Sequence, residues 1–297
     1  MATLPAVPPP PPPAPPSSIG IIRGTPSSLK ETQCDAAYPD CKTEVRRACT
    51  FLKNRLPEDT ILLSHNRVVA SILQEGPMCG LCALSMATEM TGKKVDVDLI
   101  FSTAKDRQFT KQGEMFSAAD MMSLAEEITQ EKCVLLDKSL QTCIVVSHLI
   151  KGNPVLVPYD SDCNHEPCLK EGRKAHWAVL TGVLFVMSDH QSSVQDQNYE
   201  QDDRLNYLYH SKGDYSDLSL EQLSNLNSNC DIYFFAKQGK SKHLQCWNSE
   251  DLRASNCNLT KIDPERDNEH YIRPEGGLEE GLKNKVVIIM KNCTAPS

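Results

Sequence analysis

Apolar residues recur at helical spacing in several stretches of the chain. From Lys42 to Leu56, the residues Val45, Ala48, Cys49 and Leu52 fall on one face, and Pro57 stops the helix because it cannot donate an N–H. Between Cys79 and Thr91, the run of Leu81, Ala83, Leu84, Ala87 and Met90 predicts a buried helix, and Gly92 can close it in a left-handed cap. Ser117 begins another helix, with Met121, Leu124 and Ile128 on one face. Leu140 to Lys151 predicts a further helix ended at Gly152, and Ser249 to Ser255 a short one. Strands are expected at Cys133 to Leu136, Pro154 to Pro158, around His176 to Leu180, Ile232 to Ala236 and His243 to Trp247. The last run, Lys285 to Met290, is apolar on both faces, as in a fully buried strand. Helices come largely before strands, which gives an α+β class. From Ser188 to Asn229 the pattern turns polar, and this stretch reads as an inserted, partly mobile loop between two central strands.

The amino-terminal segment stands apart. Pro5 to Pro16 is nearly all proline and alanine, with six consecutive prolines at Pro8 to Pro13. Such a segment forms neither a helix nor a sheet ladder and adopts extended polyproline II. It is either an inert linker or a ligand for an aromatic groove. Residues 1–28 therefore read as a disordered arm and linker, and residues 29–297 as the folded domain, with the polar insertion around 188–229.

Composition narrows the function classes. The 297 residues are 40% hydrophobic, enough for a substantial core. A net charge of −8 argues against a nucleic-acid binder. No apolar run approaches a membrane span, and the first residues lack the charged and apolar regions of a secretory signal. The 13 cysteines are odd in number and fit reduced thiols of a cytoplasmic protein better than a disulfide framework.

Among those cysteines, Cys79 has the most informative surroundings. Gln74 precedes Cys79-Gly80 by five residues, and the buried helix begins at the Cys. A Cys at a helix start faces unpaired backbone N–H groups and the positive end of the dipole, which favour a thiolate nucleophile. The amide of Gln74 can donate to a developing oxyanion, with the N–H of Cys79 as second donor. A helical Cys is more often just a small buried hydrophobe, so a partner base decides the matter. His176 opens the strand Ala175-His176-Trp177-Ala178-Val179 and is the candidate base. A third group has to orient its ring. Gln238, after the strand Asp231 to Lys237, is the first candidate, with Asp189 and Asp231 as rivals. Two other readings of the cysteines are weaker. Cys163, His165 and Cys168 offer zinc ligands but lack a matching second half, and Cys79-x-x-Cys82 lacks the surround of a redox pair. No metal or cofactor is expected.

Taken together, these motifs resemble the actin maturation proteases, papain-like cysteine peptidases related to the bacterial peptidases that trim double-glycine leaders. The resemblance rests on Gln74…Cys79-Gly80-Leu81, Gly152 to Asp160, Asn164 to Cys168, Ala175 to Val179, Lys237 to Ser241, Trp247 and Ser255-Asn256, and it extends to the proline-rich amino terminus. It covers roughly the whole chain and is weakest between Ser188 and Asn229. It implies a papain-like fold, in which a helical part carrying the Cys packs on an antiparallel sheet carrying the His. It implies Cys79 as nucleophile and His176 as base. In papain-like enzymes an Asn or Asp near the end of the strand after the His orients the ring; Gln238 holds that place here, a departure from the pattern. The implied activity is removal of the N-acetylated residue preceding the mature amino terminus of actin. The implied partner of the proline arm is profilin, which carries monomeric actin. Mature actin termini are acidic, so Lys170, Arg173 and Lys174, just before His176, are candidates to attract them. The same Cys-helix and His-strand pattern leaves two other readings: a proline-rich adaptor with an inactive peptidase-like domain, or a different papain-like thiol hydrolase.

Overall fold

The computed structural model describes residues 41–188, 198–213 and 230–291. The proline arm lies outside them. In chain order the described elements are α1 (Cys41–Lys53), β1 (Thr60–Asn66), α2 (Cys79–Met90), α3 (Val97–Asp106), α4 (Ala118–Thr129), β2 (Lys132–Leu136), α5 (Thr142–Ile150), β3 (Val155–Asp160) and β4 (Ala175–Ser188). They continue with β5 (Tyr199–Gln201), β6 (Leu208–Ser211), β7 (Asp231–Gln238), β8 (Gln245–Asn248), α6 (Ser249–Cys257), a 3-10 turn at Pro264–Arg266, α7 (Gly277–Gly281) and β9 (Val286–Met290). The class is α+β, with the Cys79 helix packed on the sheet that carries His176.

The strands form one sheet in the order β2-β9-β3-β4-β1-β6-β5, while β7 pairs with the other edge of β4 and β8 pairs with β7. Every pairing is antiparallel except β1 with β6, so the sheet is mixed. The long strand β4 is the hub. Its first half pairs with β3 and its second half with β1.

Alternation along the strands fills both faces. Leu156, Trp177, Val179, Val287 and Ile289 pack under α2, α3 and α4. Val155, Val157, Tyr159, Ala178 and Leu180 face the other way, against Val145, Leu149 and Leu252 of α5 and α6. A register shift between Leu180 and Gly182 exchanges odd and even positions between the faces. Beyond it Leu184 and Val186 pack with Val45, Cys49 and Leu52 of α1. Gly182 is required there, since a Cβ would stand 2.1 Å from the carbonyl oxygen of His65.

The helices foreseen from periodicity are present within a few residues of their expected ends. Gly92 after α2 has φ +90°, as the cap requires. Two elements carried weaker signals. In β1 the polar Ser64 and His65 are buried and hydrogen-bonded to His210 and Ser211, which hides the strand from an apolar-pattern reading. In α3 only Ile100 and Ala104 are buried, although Asp96 caps the helix by accepting from the Asp98 N–H at 3.0 Å. The polar segment after β4 also differs from a plain loop. Its described part holds β5 and β6, which extend the sheet beyond β1. Their anchor is a charged network rather than an apolar face. The fully buried Asp202 carboxylate accepts from Arg46 Nε at 2.7 Å and lies 2.7 Å from His210 Nε2.

Candidate active site

Helix α2 starts at Cys79, after Met78, and no side chain caps it. The N–H of Cys82 takes the carbonyl of Met78 at 2.9 Å, so the amides of Cys79, Gly80 and Leu81 precede the first intrahelical bond. Those of Cys79 and Gly80 address the sulfur.

The sulfur meets the sheet at β4. The backbone N–H of Trp177 points at Cys79 Sγ and favours its anion. On the edge away from β3, β7 ends at Gln238, opposite Ala178, one residue short of Trp177, so no β7 residue pairs with Trp177. Strand N–H groups lie in the plane of the sheet, so the thiol sits level with β4, at the residue next to His176.

His176 is buried, at 7% exposure. By alternation its ring leaves β4 on the side of Ala178 and Tyr159. The Tyr159 ring meets it edge-on, 5.7 Å between centroids, and the ring of His165 stacks on it at 5.8 Å. Its Nε2 lies 3.2 Å from Gln238 Oε1. The same oxygen accepts the N–H of Lys240 at 2.6 Å. That second bond fixes the amide orientation, because an NH2 group there would face another donor. The ring therefore donates from Nε2, and Nδ1 keeps its lone pair as an acceptor.

Gln74 arrives from the loop before α2. Its main-chain N–H bonds the carbonyl of Gly239, just after Gln238, at 2.8 Å. One N–H of its side-chain amide goes to the carbonyl of Gly76 at 2.7 Å, which leaves the second N–H for another acceptor. Its Oε1 is buried without a partner. A Cβ at Gly239 would come within 2.9 Å of this side chain, so the close approach depends on glycine.

Burial governs the protonation states. It raises the Cys79 thiol above its ordinary range, against the opposing pull of the Trp177 N–H, Arg266 and the helix-start amides. It lowers His176 from 6.5 to about 4, although the Gln238 oxygen acts the other way. The expected thiolate at the helix start is thus outweighed by desolvation, and at neutral pH both the Cys79 thiol and the His176 imidazole are uncharged.

The rival orienting residues separate. Asp231 is exposed and lies opposite Val186, at the far end of β7 from His176. Asp189 falls outside the described residues. No three His, Cys, Asp or Glu side chains among the described residues converge on a metal geometry. In the basic turn before His176, Arg173 lies 3.6 Å from Glu171, which also binds Lys261 at 2.7 Å. The cation at the thiol is Arg266, from the 3-10 turn far down the chain. It lines a narrow cleft with Cys79, Pro77, Met115, Phe116 and Trp177. No local motif marked it in the sequence. The Ser255-Asn256 motif has a supporting place. Ser255 Oγ both donates to and accepts from the backbone of Asp160, and Asn256 donates to the carbonyl of Pro158, which ties α6 to β3.

Residues 69–184 match the family model described as actin maturation protease-like, C-terminal domain. The actin maturation protease of Danio rerio is 36% identical over 79% of this chain and 76% of its own length. The chain belongs to the actin maturation protease family. The protein of that name from Mus musculus is 38% identical over 84% of this chain and 70% of its own length. The one from Drosophila melanogaster is 30% identical over 74% of this chain and 68% of its own length. A solved C39-like peptidase from Bacillus anthracis aligns over 75% of this chain and 95% of its own, at 12% identity and a TM-score of 0.38. Family membership makes the chain a peptidase. Among the described residues no helix is long and apolar enough to cross a membrane.

Proposed function

We propose that the protein is a cysteine aminopeptidase that removes the N-acetylated residue preceding the mature amino terminus of actin. One observation supports the cysteine mechanism: Cys79 and Trp177 line the same cleft, and the next residue in the chain, His176, has its Nε2 3.2 Å from Gln238 Oε1. The substrate comes from the family, all of whose compared members are named for actin maturation.

In this reading Cys79 Sγ attacks the scissile carbonyl carbon as its proton passes to Nδ1 of His176. Both groups start neutral, so the proton moves during the attack rather than before it. The free N–H of the Gln74 amide and the N–H of Cys79 hold the tetrahedral oxyanion. His176 then gives its proton to the leaving amine, and the acetylated residue remains as a thioester. Water attacks the thioester with His176 as base, which releases the acetylated residue and restores the thiol. Gln238 does not touch the substrate; it keeps the ring in the tautomer that accepts at Nδ1. No metal or cofactor takes part.

The proline-rich arm, on composition, suits profilin. Actin bound to profilin would then be held near the cleft at high effective concentration. Action on newly made actin implies the cytoplasm. The test is mass spectrometry of actin amino termini in cells lacking the protein, rescued with the wild-type chain or with Cys79→Ala. Unprocessed acetylated termini that only the wild type corrects are the expected result. Full rescue by Cys79→Ala would move the nucleophile elsewhere.

A further inference from the structure

The narrow cleft at Cys79 contains a cation whose neighbours leave it unmatched. Arg266 is half-buried and lines the cleft beside the thiol. It forms no ion pair with any described residue. Three carboxylates of the surrounding segments have other partners. Glu114, on the same cleft, is 1% exposed and accepts from Thr110 Oγ1 and the N–H groups of Lys111, Gln112 and Ile272. Asp267 pairs with Arg273, and Asp263 caps the 3-10 turn by accepting from the Glu265 N–H. The charge of Arg266 is felt by both Cys79 and His176, which places it within electrostatic reach of any bond cut there.

A half-buried guanidinium without a counter-charge is unfavourable until something fills the role. Its planar fork matches a carboxylate in two parallel hydrogen bonds, an arrangement that a lysine cannot reproduce. The remainder of the cleft wall, Pro77, Met115, Phe116 and Trp177, offers that carboxylate no competing positive group. The wall is also rigid, since Trp177 Nε1 donates to the carbonyl of Met115 at 2.8 Å.

We propose that Arg266 is a specificity-determining residue: it binds a carboxylate of the substrate next to the scissile bond, so the cleft selects acidic peptides. This rests on the peptidase reading, with Cys79 at the cut.

The test uses the full chain carrying Cys79→Ala, so that peptides bind without being cut. Acetylated, C-terminally amidated peptides that differ only by Glu or Gln at each position flanking the cut are titrated calorimetrically. A third series keeps Gln but has a free C-terminal carboxylate, which separates a side-chain carboxylate from a terminal one. The Glu peptide is expected to bind about tenfold more tightly than its Gln twin at one flanking position. Adding Arg266→Gln should reduce that ratio to about one, Arg266→Lys should keep part of it, and Arg266→Glu should invert it. A preference confined to the free-carboxylate series assigns Arg266 to a chain terminus and overturns the side-chain version. A Glu preference that survives Arg266→Gln in a folded protein, or none in the parent, overturns the proposal. Mass spectrometry of the same tubes checks the nucleophile independently. Cleavage persisting with Cys79→Ala would sink the Cys79 mechanism while the Glu-to-Gln ratio still reports on Arg266.

Discussion

Moving the protein from pH 8 to pH 4.5 tests the burial of its imidazoles. His176 takes a proton only near pH 4 in the folded chain, against 6.5 for a free ring, chiefly because burial disfavours its charged form. Below pH 6.5 the unfolded chain therefore binds a proton that the folded chain refuses. Stability rises with pH wherever the unfolded state holds more protons, so this contribution is complete above about pH 6.5 and drains away toward pH 4. At pH 4.5 one such ring costs the folded state about 2.5 kcal/mol, from 1.36 kcal/mol per pH unit between the two values. His65, on β1, behaves alike: burial first, then Arg67, brings it from 6.5 to about 4. Together the two rings remove about 5 kcal/mol, comparable with the whole stability of a marginal domain. Carboxylates begin to titrate toward pH 4.5, a background that the wild type and the histidine variants share. The assay is urea unfolding followed by tryptophan fluorescence at both pH values, for the wild type, His176→Gln and His65→Gln. Each variant should lose about 2.5 kcal/mol less stability on acidification than the wild type, whatever its stability at pH 8. A His176→Gln protein that loses as much as the wild type would show that His176 is reached by solvent and would undo the neutral-pair account of the site.

Three further outcomes are expected. Gln74→Ala should lower kcat on an acetylated peptide by about 100- to 1,000-fold with little change in KM, as for loss of one oxyanion donor; a change in KM alone would make Gln74 a binding residue. Gln238→Glu places a negative acceptor against His176 Nε2 and raises the pKa of the ring, so the acid limb of kcat/KM should move to higher pH; an unmoved limb would mean that residue 238 does not address the ring. Asp202→Ala removes the buried carboxylate that His210 Nε2 faces and one of the two carboxylates on Arg46, and should cost about 3–5 kcal/mol in urea unfolding; a loss under about 0.5 kcal/mol would show that water replaces the carboxylate freely.

What the sequence determined on its own was local. The spacing of Val45, Ala48, Cys49 and Leu52 sets α1, and Leu81 to Met90 sets α2, because side chains three and four apart share a helix face. Gly92 and Gly152 mark helix ends, since their positive φ is open to glycine at little cost. The two-sided apolar run of β9 marks a central strand. Gln74, Cys79 and His176 were legible as candidates because residue type and sequence spacing are local features. Tertiary structure decided the remainder. Strand β1 was hidden because its buried Ser64 and His65 look polar until His210 and Ser211 meet them. Gln238 was chosen over Asp231 only when register put one at the near end of β7 and the other at the far end. The Trp177 N–H lies past the end of β7, which stops at Gln238 opposite Ala178. Arg266 entered the cleft through a turn remote in the chain. Backbone propensity and periodicity act over a few residues, whereas hydrogen-bond partners, desolvation and charge depend on what packs alongside, and distant parts of the chain supply that.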